Sequence, residues 1–372
     1  MISRIIAFLR GQAVLVVAFA CAFVSLLIVR DVPHAWASID WRVIGLLFCL
    51  MAAVAGLQRS GLMGHIARRM VRGRHSQRFV CLVLVMLPFF ASMVVTNDVA
   101  LITFASLAAL ALEVAGWRDR LAYVVVLQTV AANLGGMITP VGNPQNLFIF
   151  TNFELTAADF FFALASFGLL AFALVALACL HCSPDAADVP LEHVPDPVCK
   201  RQVALHACLF ALALLAVLRV LPWEGVLAVV VVALAAFDRE IFRRVDYALL
   251  ATFVCFFVFS GNLAYLPALA DFLGGCMAGH PMLTSLVASQ FISNVPAAVL
   301  LAGFTENWHS LLIGVDLGGL GTPIASLASL ISLKIYLYAP GSSVKAFMRV
   351  FIPLNLAFLA AMVLLYAILF VA

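Results

Sequence analysis

NLGGMITPVGN at positions 133–143 and DLGGLGTPIAS at positions 316–326 are one phrase written twice, each inside an apolar stretch long enough to cross a bilayer. A short polar break precedes each copy inside another apolar segment: Thr96-Asn97-Asp98 before the first and Ser293-Asn294-Val295 before the second. Glycine, proline and amides within hydrocarbon-length helices free backbone groups, which is tolerated only where that backbone is buried in protein or lines a cavity. Paired interruptions at corresponding places in two halves are the sequence mark of a transporter's binding site.

Composition points the same way. Hydrophobic residues make up 65% of the 372 and charged residues only 10%, against roughly 25% charged in soluble domains, and the mean hydropathy is +1.15. The chain is read as a polytopic membrane protein. Its net charge of +3 is small, its arginines cluster in connecting segments, and it has no basic patch with interleaved aromatics, which excludes a nucleic-acid binder. The segment from Met1 to Val29 has the basic start and apolar middle of a signal peptide. More spans follow, and no small-residue cleavage site precedes a soluble domain, so it is read as a retained first helix. Cys21, Cys49, Cys81, Cys208 and Cys255 lie in apolar segments and read as small hydrophobes. His181, Cys182, His193 and Cys199 share one segment, but their spacing fits no regular zinc pattern, and Pro184, Pro190, Pro195 and Pro197 make it a solvated linker.

A span needs about 20 helical residues. Gln12 to Val29 crosses, Asp31 to Asp40 connects, and Trp41 to Leu57 returns. Arg59, Arg68, Arg69, Arg72, Arg74 and Arg78 form the strongest charge cluster, which with Arg4 and Arg10 puts the amino terminus in the cytoplasm. Within that cluster Leu62, Ile66 and Met70 fall opposite the arginines, as in a helix lying along the membrane surface. Residues 79–112 then read as a helical hairpin entering from the cytoplasm with its polar tip at Thr96-Asn97-Asp98. The alternative is two ordinary spans with a tight outer turn. Residues 121–150 form a helix broken at Gly135-Gly136, Pro140, Gly142 and Pro144. Phe160 to Leu180 returns and closes a first repeat over residues 1–180, followed by a cytoplasmic linker over 181–202.

In the second repeat, 203–372, Val203 to Val220 crosses outward and Trp223 to Phe237 returns to a cytoplasmic cluster of Arg239, Arg243 and Arg244. Tyr247 to about Leu263 goes out again. No Lys or Arg occurs from Val245 to Leu333, which marks periplasmic exposure of the connecting loops. The hairpin 281–304 has arms of only about 18 and 14 Å, too short to span, so it is read as re-entrant from outside. A second broken helix, 311–338, runs inward, and Phe347 to Val371 leaves the carboxyl terminus periplasmic. The expected fold class is therefore all-α, an inverted-topology repeat with two re-entrant helical hairpins and two discontinuous transmembrane helices.

Two hairpin tips and two unwound helix centres brought together would aim half-helix amino ends, with about half a positive charge each, at one point. An anion could sit there without any arginine. The amides of Asn97 and Asn294 and the hydroxyls of Thr96, Ser293, Thr139 and Thr322 add donors and acceptors, while carbonyls of Gly135, Gly136, Gly318 and Gly319 could coordinate a small cation. An intramembrane acid is a functional candidate, so Asp98 is read as a cation ligand or proton carrier, with capping of the following half-helix as the alternative. Asp316, nearer the end of its segment, is expected to cap or to face solvent. Asn133 is a candidate for either the site or a helix–helix hydrogen bond.

With Thr96-Asn97-Asp98 followed by ANLGGMITPVGNPQNLF (132–148), and Ser293-Asn294-Val295 followed by DLGGLGTPIASLAS (316–329), the chain resembles the ion transporter superfamily. The likeness is to its citrate-transporter-like and divalent anion/sodium symporter members. The resemblance covers nearly the whole chain. It implies scaffold helices that form a homodimer and a transport domain that carries solute by an elevator motion. It assigns solute binding to the tips at Thr96, Asn97, Ser293 and Asn294, and the full set of solute-binding candidates adds Asp98, Thr139, Pro140, Asn143, Thr322 and Pro323. Sodium candidates are Asn97, Gly135, Gly142, Asn143, Asn294, Gly319 and Ala325. Asp98, standing where the family pattern has Thr, is the proton-coupling candidate.

The expectation is an inner-membrane secondary transporter of a small anion, a carboxylate or an inorganic oxyanion, coupled to sodium or protons and needing no further cofactor. A sodium/proton antiporter or an arsenite-type permease of the same architecture is the alternative. An enzyme is not expected, because no His-Glu-x-x-His and no Ser/His/Asp set is present.

Overall fold

A computed structural model describes residues 13–189, 198–263 and 265–370. Arg4, Arg10, Pro190, His193, Pro195 and Pro197, which entered the reading above, lie outside the described residues. Helix α1 (Ala13–Val29) is followed by the short α2 (Val32–Ala37), capped by Asp31, and by α3 (Trp41–Arg59), capped by Asp40. The amphipathic α4 (Leu62–Val71) buries Ala67 and Val71 and leaves Ile66 and Met70 exposed on the other side. Next come α5 (Gln77–Ala91), capped by Ser76, and α6 (Asn97–Val114), the first helix pair. The first interrupted helix is α7 (Leu121–Gly136) and α8 (Pro144–Asn152), with non-helical backbone between them. Then α9 (Ala157–Cys179) completes this half.

The second half contains α10 (Lys200–Val217), α11 (Trp223–Phe237), α12 (Tyr247–Leu263) and α13 (Pro267–Gly279). The second helix pair is α14 (Pro281–Ile292) and α15 (Asn294–Ala302), joined through Ser293 at φ 73°. The second interrupted helix is α16 (Trp308–Leu317) and α17 (Leu327–Tyr338), and α18 (Val344–Phe370) ends the described chain. Among the described residues five helices are long and apolar enough to cross a membrane: α3, α6, α9, α10 and α18.

One element corrects the all-α expectation. Strand β1 (Gly73–Ser76) pairs antiparallel with β2 (Ala186–Val189), Gly73 opposite Val189 and Ser76 opposite Ala186. The prolines imply a solvated linker, and Pro184, Asp185, Ala186 and Asp188 are exposed. Its first part is also held by Gln77 and Arg78, whose backbone N–H groups donate to the carbonyls of Asp185 and Ser183 while the Arg78 Nε donates to the Cys182 carbonyl.

Buried polar groups fasten the helices. Pro88 lies inside α5 and has no N–H, so the Leu84 carbonyl one turn back loses its helical donor. Gln128 of α7, fully buried, supplies the replacement: its Nε2 donates to Leu84 O at 2.8 Å and to Phe104 O of α6 at 3.2 Å. One amide thereby ties α5, α6 and α7. On the other side Asn262 of α12 donates to Ser25 of α1 at 3.0 Å, and Arg59 of α3 pairs with Asp238, which also bonds the buried His206 of α10. Gln128→Leu keeps the bulk but orphans the Leu84 carbonyl, at a cost of about 1–3 kcal/mol. The variant should unfold at a lower temperature than the parent in detergent, and an unchanged melting curve would show that the proline break needs no such partner.

Candidate functional site

The two polar breaks meet. Asn97 and Asp98 from the first tip and Ser293, Asn294 and Val295 from the second line one cavity, about 890 Å³ with its open mouth included. Pro144 and Gln145 at the start of α8, Ser326 and Leu327 at the start of α17, and Asp246 and Thr252 by α12 complete its polar wall. Four helices, α6, α8, α15 and α17, thus point their amino ends at the same space. Aligned peptide dipoles place about half a positive charge at each such end. Among the described residues no Lys or Arg lines the cavity, whereas Asp98 and Asp246 do.

The two breaks are built by the same bonds at matched positions. Thr139 Oγ1 donates to the Met93 carbonyl at 2.6 Å, and Thr322 Oγ1 to the Gln290 carbonyl at 3.0 Å. Asn97 N–H donates to Gly142 O at 3.1 Å, and Asn294 N–H to Ala325 O at 3.0 Å. Each Asn side chain then accepts from the next backbone N–H, Asp98 or Val295. Gly135 and Gly318 let the interrupted helix touch the arm beside it: a Cβ on Gly135 would collide with the Phe89 carbonyl, and one on Gly318 with Ser289. The phrase repeated in the sequence is therefore a recipe for docking an unwound turn against a helix tip.

Asn133 joins the halves. Its Oδ1 accepts from Asn97 Nδ2 at 2.9 Å and from Ser326 Oγ at 3.1 Å, and its Nδ2 donates to Gly319 O at 3.3 Å. Of the two alternatives left open for this residue, the cross-helix hydrogen bond is the one observed. Gln145 of α8 makes a second link, donating to Asp316 Oδ1 at 3.0 Å. This corrects the reading of Asp316 as a cap or an exposed acid. It lies in the last turn of α16 and is buried where α8 of the first interrupted helix packs against α16.

Among the residues singled out from the sequence, Asn97, Asp98, Ser293 and Asn294 stand on the cavity wall. Asn97 and Asn294 are 5% and 6% exposed, and Asn294 Nδ2 has no hydrogen-bond partner among the described residues. Asp98 Oδ1 is buried and likewise unpartnered, so it does not serve as a cap through that oxygen. Thr96, Thr139, Pro140, Asn143, Thr322 and Pro323 lie outside the lining, and the hydroxyls of Thr139 and Thr322 are committed to the arms. The carbonyls of Gly135, Gly142, Gly319 and Ala325 each accept a protein hydrogen bond, from Ile138, Asn97, Asn133 and Asn294 respectively. Asn143 Oδ1 is buried without a donor.

Sequence reading passed over four residues. Gln145 and Asn146 directly follow the first motif, Gln290 staples the unwound 318–322 backbone by donating to Gly318 and Leu320 and accepting from Thr322 N–H, and Asp246 caps α12 at Leu249 N–H. For Gln145, Asn146 and Gln290 the available signal was an amide inside an apolar segment.

The sequence profile of the citrate transporter family matches residues 4–310. Inner membrane protein YbiR of Escherichia coli K12 is 30% identical over 307 residues, 82% of each chain. The transporter MJ0456 of Methanocaldococcus jannaschii is 29% identical over 80% of this chain and 81% of its own. The silicon efflux transporter LSI3 of rice is 31% identical over a shorter stretch, 45% of this chain and 37% of its own. The crystal structure of the YdaH transporter of Alcanivorax borkumensis superposes with a TM-score of 0.56 over 88% of this chain and 85% of that one, at 16% identity, a likeness of fold. The chain thus belongs to the citrate transporter family, and it is a multi-pass membrane transporter rather than an enzyme.

Proposed function

We propose that the protein is a secondary active transporter that moves a small anion, a carboxylate or an inorganic oxyanion, across the inner membrane, coupled to sodium or protons. The observation that carries this reading is the meeting of four helix amino ends at one cavity, an arrangement suited to anionic groups. Membership of the citrate transporter family supports it, as does the silicon efflux transporter among its relatives.

In this reading the chain is an inverted repeat, 1–180 and 203–372 about a cytoplasmic linker, with the hairpins 79–112 and 281–304 re-entrant from opposite sides. The amino terminus is cytoplasmic and the carboxyl terminus periplasmic. The tips and interrupted helices move as one body against α1, α3, α10 and α12, which form the dimeric scaffold, and the cavity opens in turn to each side. Asn97 and Asn294 hold the solute, and Asp98 faces it. A multiply charged anion needs cations or protons at the site, because Asp98 and Asp246 add negative charge.

Those two carboxylates and the lack of basic lining favour one rival, a cation/proton antiporter in which Asp98 is the exchanging group. Uptake of labelled citrate or silicate into proteoliposomes under an imposed sodium or pH gradient separates the two. Gradient-driven uptake supports the proposal, and sodium/proton exchange without any anion supports the rival.

Asn97→Ala and Asn294→Ala should each lower uptake about tenfold or more, the loss of one or two buried hydrogen bonds, with membrane insertion unchanged. Loss of folded protein instead would make those amides structural. Asn133→Ala, which cuts the first tip from the second interrupted helix, should depress uptake together with thermal stability, and a change in neither would remove it as the seam between the halves.

A further inference from the structure

Arg219 stands at the end of α10 with φ 61°, a left-handed backbone that glycine adopts freely and arginine only at a cost. It closes the helix there, its own N–H donating to Ala216 O and that of Val220 to Leu215 O. Its side chain does what a glycine could not. Nη1 donates to Glu154 O at 2.8 Å and Nη2 to Phe150 O at 3.3 Å, with the guanidinium carbon 5.6 Å from the centre of the Phe150 ring. Both carbonyls lie at the carboxyl end of α8, where Glu154 is also left-handed at φ 52°.

Two helices, α8 and α10, thus bring their carboxyl ends to one junction. Each such end carries about half a negative charge, which a cation bonded there offsets, and a bond from a charged donor is stronger than a neutral one. Ser260 Oγ donates from α12 to Val299 O of α15 at 3.3 Å, and Gln58 Nε2 from α3 to Thr103 Oγ1 of α6 at 3.5 Å, but both of these are neutral. The same α8 leads from the junction to the solute cavity. Pro144 and Gln145 at its amino end stand on the cavity wall, and its nine residues make about 14 Å of helix.

The cavity is at the opposite end of the scaffold helices from Arg219. Val14 and Leu15 stand at the start of α1, and Asp246, Ala248 and Leu249 at the start of α12, just after Arg243 and Arg244. In the orientation proposed above this is the cytoplasmic side, and Arg219, where α10 ends its outward crossing, is periplasmic. We propose that Arg219 is a positioning residue for transport, a latch that holds α8 to the scaffold while the cavity is open to the cytoplasm and lets go when it turns to the periplasm. This rests on the carrier reading, in which α8 travels with the tips and α10 stays behind, so these bonds must part in each cycle. Arg219 is exposed, so water takes over its donors on release, and no covalent bond changes.

The test is thiol labelling of the full-length protein carrying Leu327→Cys on the cavity wall, read by mass spectrometry on the peptide that contains position 327. It needs no solute. A membrane-impermeant maleimide is offered from the periplasmic side in spheroplasts and from the cytoplasmic side in everted vesicles. Adding Arg219→Ala should raise the periplasmic labelling rate about fivefold, the worth of one such bond at an exposed site, while the cytoplasmic rate stays level or falls. Arg219→Lys, which keeps the charge, should lie between the parent and Arg219→Ala. A rise from both sides, the mark of a merely loosened structure, would overturn the latch, and so would an unchanged periplasmic rate. If Arg219→Ala does not fold, Arg219→Gln is judged by the same outcomes. Gradient-driven citrate uptake by a parent whose labelling Arg219→Ala leaves unchanged would fault the latch alone. Shifted labelling in a protein that moves no anion would support the latch and fault the anion reading alone.

Discussion

A helix interrupted inside an apolar protein must find partners for every backbone group it releases, and the rest of this structure follows from how those partners are supplied. Thr139 and Thr322 do not wait on the solute. They donate to the carbonyls of Met93 and Gln290 and weld each unwound turn to the tip of its neighbouring helix pair. Gln128 repairs the break that Pro88 makes in α5, and Gln290 holds the carbonyls of Gly318 and Leu320. Once these groups are satisfied internally, the helix amino ends beside them are free to face a cavity.

Two such assemblies would be independent without a seam. Asn133 bridges Asn97, Gly319 and Ser326, and Gln145 reaches from α8 to Asp316, so each interrupted helix bonds to the other half. The cavity is closed on its remaining side by Val14, Leu15, Asp246, Ala248, Leu249 and Thr252, from α1 and the start of α12. Four of these six side chains are apolar, and they face a polar body whose hydrogen bonds are made internally.

Much of this was legible in the sequence because its signals are local. Glycine and proline at 135–144 and 318–323 mark where helices must stop, and α12 and α14 occupy the stretches that apolar length predicts. What escaped depends on contacts between distant segments. A place near the end of its helix makes Asp316 read as peripheral, yet burial is set by what packs against it, and α8 does. The pairing of Gly73–Ser76 with Ala186–Val189 leaves no alternating apolar pattern to read, since Val189 is the one large apolar residue among them. Thr139 and Thr322 have hydroxyls of the kind that bind solutes, and only the fold reveals that a neighbouring carbonyl takes them.

The central claim is that residues far apart in the chain, at the two tips, face one shared cavity. Paired cysteines at positions 98 and 295, treated in native membranes with a short bifunctional thiol reagent, test it most directly. A cross-link within a single chain, lost when either cysteine is omitted, is the predicted result. Independent labelling of each position from bulk water, with no intramolecular cross-link, would contradict it.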